Sequence, residues 1–171
     1  MFFLSALLLT LFPAGLLAAA VSDSLSMTIP NRLCAGLALA FAPAALAVGL
    51  PLADLGEHLL VGVVVLLLGV GAFAAGWMGG GDAKLFAAVG LWLGWPDTGL
   101  ALLYTALAGG ALALSLLVLR RFAPAFAGVT PPWAAHLLNP KGDLPYGVAI
   151  AAGALIAFPQ SALFQALAGV G

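Results

Sequence analysis

The sequence predicts an all-α, polytopic membrane protein, and three observations carry that prediction. The 171 residues are 64% hydrophobic and only 6% charged, with a mean hydropathy of +1.21. So few polar side chains cannot coat a water-soluble globule. The charges are also grouped, leaving long charge-free runs, and a bilayer crossing needs about 20 apolar residues. A single domain over residues 1–171 is expected. The net charge of -1, without a basic patch or charge run, excludes a nucleic-acid-binding surface.

The charge-free runs are 1–22, 33–53, 59–81, 85–96, 98–119 and 144–171. Ala18-Ala19-Ala20 resembles a signal-peptide cleavage site, but residues 1–22 lack the basic start such a signal requires. The first run is therefore read as a retained helix. The second, third, fifth and sixth are each long enough to span. The fourth is short, and reaches spanning length only if its helix begins near Gly80 and carries Asp82 and Lys84 in its first turns, with Lys84 snorkelling to the headgroups. The stretch 122–140 holds Pro124, Pro131, Pro132 and Pro140, which suits a loop better than a spanning helix.

Six spans sort the charges. Arg32, Lys84, Arg120, Arg121 and Lys141 all fall at odd-numbered loops, and Asp54, Glu57 and Asp97 at even ones. The positive-inside rule then makes the odd loops cytoplasmic and both termini external. Asp23, Asp82 and Asp143 share the basic, cytoplasmic side.

Carboxylates at the edge of a bilayer are expensive and by default mark function. Asp82 stands in Gly79-Gly80-Gly81-Asp82-Ala83-Lys84. Three glycines permit positive φ and close approach by a neighbouring chain. The alternative is a plain loop with Asp82 as an N-cap. Asp23 opens the turn before Ile29-Pro30-Asn31, where Pro30 pins the loop and Asn31 could cap the second helix. Taken alone, Asp23 would be a surface turn residue. The sequence puts the two acids on one side without showing that they touch; if they meet, both cannot ionise easily, and one keeps a proton. Such a pair can activate water and polarise a carbonyl without a covalent intermediate. Asp143 is a third candidate.

Other chemistries lack their residues. There is no Gly-x-Ser-x-Gly elbow and no His-Glu-x-x-His motif. His58 and His136 are read as solvated interface residues. One cysteine, Cys34, precludes an internal disulfide or a Cys-x-x-Cys metal site and is read as a small buried residue. No metal and no organic cofactor is expected. Gly76-x-x-x-Gly80 and Gly90-x-x-x-Gly94 fit small-residue helix packing. Trp77, Trp92, Trp95 and Trp133 fit an aromatic belt.

The run from Gly79 to Gly94 resembles the signature of the type IV prepilin peptidases, which are Gly-x-Gly-Asp intramembrane aspartic proteases. Asp23, with Ile29-Pro30-Asn31 after it, is similar to their first motif. The stretch Leu144-Pro145-Tyr146-Gly147 to Gly153 resembles the last helix of their short branch, which serves Flp-type (tight-adherence) pili. The resemblance covers nearly the whole chain. It implies that Asp23 and Asp82 form a catalytic dyad; Gly79, Gly80, Gly81, Lys84, Pro30 and Asn31 are read as support for the substrate or the site, with a plain surface role equally open for Lys84. It implies prepilin and pseudopilin substrates cut at the cytoplasmic face of a bacterial inner membrane. The larger branch adds a Cys-x-x-Cys zinc region with methyltransferase activity, for which this chain has neither the cysteines nor the room. Where many relatives carry basic residues before Ile-Pro-Asn, this chain has Ser24, Leu25, Ser26, Met27 and Thr28. Two readings from other classes stay open: a small proton- or cation-coupled transporter subunit, in which the acids are ligands, and a non-catalytic pilus-assembly subunit.

Overall fold

The computed structural model describes residues 2–126, 131, 137–140 and 142–169. Among them the chain is all helical, with no strand. The helices are α1 (Phe2–Ser26), α2 (Asn31–Val48), α3 (Leu52–Ala74), α4 (Gly80–Leu93), α5 (Asp97–Phe126), α6 (Tyr146–Ala157) and α7 (Ala162–Ala168). A 3-10 turn, Phe158–Gln160, joins the last two. Helices α1, α2, α3 and α5 are long and apolar enough to cross a membrane. The α6 helix with its 3-10 turn makes a further crossing with α7 if the pair, bent by 46°, is one span. This is a membrane protein.

The last run was expected to be one helix. It breaks instead at Pro159 and Ser161, whose hydroxyl accepts from the Phe164 N–H and so starts α7 afresh. The fourth helix does start at Gly80 with Asp82 and Lys84 in its first turns, but it has 14 residues. At ~1.5 Å per residue that is about 21 Å, short of the ~30 Å apolar layer. It tolerates this because it is the central helix, packed by α2, α3 and α6.

The core is built where α1, α2, α4, α6 and α7 converge. Trp92 is fully buried there. It stacks on Phe12 with ring centroids 5.0 Å apart, and meets Phe41 edge-on at 6.0 Å. Its indole N–H donates to the Leu37 carbonyl at 2.8 Å. The interface-belt reading of Trp92 is thus corrected: the residue follows the α4 face that meets α1 and α2. Trp77 and Trp95 are exposed.

In lipid, helix association rests on close packing, which small residues permit. On α3, a Cβ at Gly69 would lie 2.9 Å from the Ala83 Cβ, and one at Gly62 would lie 3.1 Å from the Leu91 Cβ. These glycines, with Gly90 against Val65, make the α3–α4 seam. Gly76 and Gly94 have another task. Their φ values of +73° and +67° end α3 and α4, a conformation glycine adopts without strain.

Two further expectations change. His58 is buried and not solvated. Its Nδ1 is 2.9 Å from the Leu91 carbonyl, one of the carbonyls left over at the end of α4, and its ring lies over Phe41 at 5.5 Å. Helix α5 runs on to Phe126, so Arg120 and Arg121 lie in a helix and 122–140 is not all loop. Trp133, His136 and Lys141 lie outside the described residues.

Replacing Trp92 tests the core. Trp92→Ala is expected to lower stability by about 3–5 kcal/mol, and Trp92→Phe, which keeps a stacking ring but not the indole N–H, by only about 1 kcal/mol. Thermal unfolding of the detergent-solubilised protein measures both.

Candidate active site

The two acids predicted to matter come from opposite kinds of helix end. Asp23 lies in the last turn of α1 and is 6% exposed. A carboxylate at a helix C-terminus faces the negative end of the dipole. The compensation comes from the other end of the chain: the Gly147 N–H, in the first turn of α6, donates to Asp23 Oδ2 at 2.7 Å. Pro145 precedes that turn as the N-cap and supplies no side-chain bond.

Asp82 is the third helical residue of α4, whose N-cap is Gly79. It is not the N-cap that the loop reading supposed. Its carboxylate accepts from the Gly79 backbone N–H, the reach-back half of a capping box. The three glycines do not take positive φ. Gly79 has φ -70°, and Gly80 and Gly81 are helical. They serve close approach instead. A Cβ at Gly79 would lie 2.9 Å from Asp82 Oδ2, and one at Gly81 would lie 3.1 Å from the Ile29 Cβ. Ile29, itself buried, also abuts Gly147. One isoleucine therefore wedges between the starts of α4 and α6.

The structure brings Asp23 and Asp82 to one place. Both line a cavity of about 700 Å³ that Asp143 also borders. Both also line a smaller one of about 290 Å³ that runs past Ile29, Asn31 and Gly81. Asp23 lies close enough for its charge to act on Asp82. Asp143 is exposed, and its backbone carbonyl is held by Arg120 at 2.8 Å.

The supporting residues divide. Pro30 is the N-cap of α2, and its carbonyl takes the N–H groups of Leu33 and Cys34. Asn31 does not cap α2, because it is already the first helical residue. Its Oδ1 accepts from Lys84 Nζ at 2.8 Å instead. That bond ties α2 to α4 just beyond the carboxylates. Cys34 is buried, as expected.

Sequence reasoning missed several walls of the site. Met27, the residue after α1, has φ +51°, which costs a non-glycine residue about 1–2 kcal/mol. Hydroxyls hold that turn: Ser22 donates to the Thr28 carbonyl at 2.8 Å, and Ser26 and Thr28 bond each other at 2.8 Å. The turn leaves Met27 lining both cavities, and Trp77 and Tyr146 line the larger. The usable signals were the run of Ser and Thr around Met27 and the Pro145-Tyr146-Gly147 start of α6. Among the described residues, no group of three or more His, Cys, Asp or Glu is placed to hold a metal ion.

Such a site offers two carboxylates, one polar cavity and backbone donors, which suits proton transfer to and from a bound amide. A family model described as the type IV leader peptidase family matches residues 10–114. The match holds both acids and stops short of Gly147. No curated protein and no solved structure matches the chain. The match covers more than half of the chain, and the protein is a member of the type IV leader peptidase family.

Proposed function

We propose that this protein is an intramembrane aspartic endopeptidase that removes the leader from Flp-type prepilins and related pseudopilins, with Asp23 and Asp82 as its catalytic pair. The observation that carries the reading is the shared cavity: two acids 59 positions apart in the matched stretch open onto one space at one end of the bundle. The short, Flp-serving branch is favoured because these residues contain one cysteine and no paired Cys-x-x-Cys.

The chemistry follows from one proton shared by two acids. The ionised carboxylate removes a proton from water as its oxygen adds to the scissile carbonyl carbon. The protonated partner gives its proton to the carbonyl oxygen, forming a neutral gem-diol. As the diol collapses, one of its hydroxyls returns a proton to the second carboxylate and re-forms the C=O, the C–N bond breaks, and the proton held by the first acid passes to the leaving nitrogen. The pair returns to one proton, and neither metal nor cofactor takes part.

Our reading of topology is six crossings, both termini external and the acids at the cytoplasmic face of the inner membrane. It is supported by Arg32, Lys84 and Arg120, which lie at the carboxylate end, and by Glu57 at the other end, where it accepts from the Trp95 N–H. On a Cys34→Ala background, a cysteine at Ser26 is expected to resist a membrane-impermeant maleimide added to whole cells, and one at Asp54 to react. The reverse pattern would invert the topology.

Co-expression with a leader-bearing prepilin tests the activity. Asp23→Asn and Asp82→Asn are each expected to slow cleavage by about 10²–10⁴-fold while the protein still inserts. Undiminished cleavage by either variant removes that residue from the pair. Proton flux in liposomes without any cleavage would favour a transporter.

The pH profile of kcat/KM is expected to be bell-shaped. At low pH both acids are protonated and no base is left. At high pH both are ionised and no acid is left. A profile with a single limb would argue against a shared proton.

Gly147→Ala is a third test. Its methyl would lie 2.9 Å from Asp23 Oδ2, so the carboxylate must move. A shift of that kind is expected to lower kcat on the order of 100-fold, and because the methyl would also lie 2.9 Å from Ile29 Cδ1 the melting temperature should fall as well. Gly36→Ala, with nothing within 4 Å, is the control that should change neither.

A further inference from the structure

We propose that the trough between α2 and α3, floored by α4, seats the apolar helix of the peptidase substrate and delivers its cytoplasmic end to the two carboxylates. The proposal rests on the peptidase reading above and adds where the membrane-embedded part of the substrate is held.

Helices α2 and α3 each pack on α4 but make no extended contact with each other. The gap encloses about 460 Å³. Its walls are small on the α2 side (Ala35, Ala38), branched on the α3 side (Val63, Leu66), and its floor is Ala87 and Ala88. Small residues let the backbone of another helix come close, which is what drives helix association in lipid.

The trough is apolar along its length and polar at one end. That end carries Asn31 and Lys84, joined by their 2.8 Å hydrogen bond. Asn31 also borders the smaller carboxylate cavity. The trough and the catalytic space are therefore neighbours across one residue. This continuity selects a peptide over an acyl chain as the occupant. A lipid could fill the apolar walls and set its headgroup beside Lys84, but it has no amide for two carboxylates to cut. A helical substrate has one. Where its helix gives way to the extended segment to be cut, backbone N–H and C=O groups lose their partners and need others at membrane depth. The Asn31 amide and the Lys84 ammonium stand at that point.

The test uses full-length enzyme in proteoliposomes and a prepilin carrying a photoreactive benzophenone side chain within its apolar helix. Adducts are expected on peptides holding Ala35, Ala38, Val63 or Leu66. Adducts confined to the exposed faces of α1 (Leu17, Val21) or α5 (Leu114, Leu117) would overturn the assignment, as would adducts to lipid alone while cleavage proceeds. A second arm blocks the trough after folding. Ala38→Cys is purified folded, then labelled with a bulky maleimide beside wild type treated alike, since Cys34 lines the same trough. Labelling is expected to raise KM for the embedded substrate at least about tenfold with kcat within twofold. Leu114→Cys, labelled on the exposed face of α5, should leave KM unchanged. An unchanged KM for labelled Ala38→Cys sinks the trough and leaves the peptidase reading standing. Absence of cleavage by the unlabelled enzyme would instead sink the peptidase reading.

Discussion

A single hydrogen bond, from the Gly147 N–H to Asp23 Oδ2, joins residues 124 apart and fixes the first helix to the sixth. Asp23 is almost wholly buried at the wrong end of its own helix for a negative charge. The arrangement holds because α6 presents a backbone donor there, and because residue 147 has no side chain to occupy the space. Asp82 solves the same problem locally, as it sits in the first turn of α4 and takes the Gly79 N–H. Both acids are thus met by the donor end of a helix, one borrowed and one its own. Ile29 then sets the distance between those two helix starts by touching Gly81 and Gly147.

Bilayer physics explains which parts surround this centre. Helices α3 and α5 keep most of their surface outward, as expected when lipid is as good a solvent for leucine as a protein core is. They are held by glycine seams: Gly62 and Gly69 on α3, and Gly153 of α6 closing on Thr105 of α5. With α3 covering one flank, α4 is shielded from lipid and can be short. Because the helix is short, it begins at the depth of the cavity, with Asp82 in its first turn. A longer α4 would bury that carboxylate in mid-helix, away from any wet space.

Much of the fold was legible in the sequence because, in a chain with 6% charged residues, most of the charges in described residues fall near helix ends. The start of α4 near Gly80 followed from that, as did the placing of Asp23 and Asp82 on one side, but not that the two acids line one cavity. What failed to show was direction around a helix. Where nearly every face is apolar, nothing distinguishes a lipid-facing residue from a buried one. That is why Trp92 read as an interface residue and is the centre of the core, and why His58 read as solvated and is buried. The glycines misled for a related reason. The sequence shows that a glycine is present, but not whether it supplies a positive φ, as Gly76 and Gly94 do, or merely absent atoms, as Gly79, Gly81 and Gly147 do.

The same distinction accounts for how the site combines rigidity with access. Positions set by missing Cβ atoms bring backbone donors up to the carboxylates without adding bulk, so the acids are held by N–H groups and the space beside them stays open. The walls of that space come from turns and helix starts: Met27 after α1, Trp77 between α3 and α4, and Tyr146 at the start of α6. Turns can vary in side chain without disturbing the helices they join. The acids thus sit on helix ends and the walls beside them on turns and helix starts, which under the proposed function would separate the bond-breaking groups from the groups that contact the substrate. The Lys84–Asn31 bond sits between them, tying α2 to α4 where apolar trough gives way to polar cavity. It is therefore at this bond that a membrane helix would have to stop being a helix for its backbone to reach the acids.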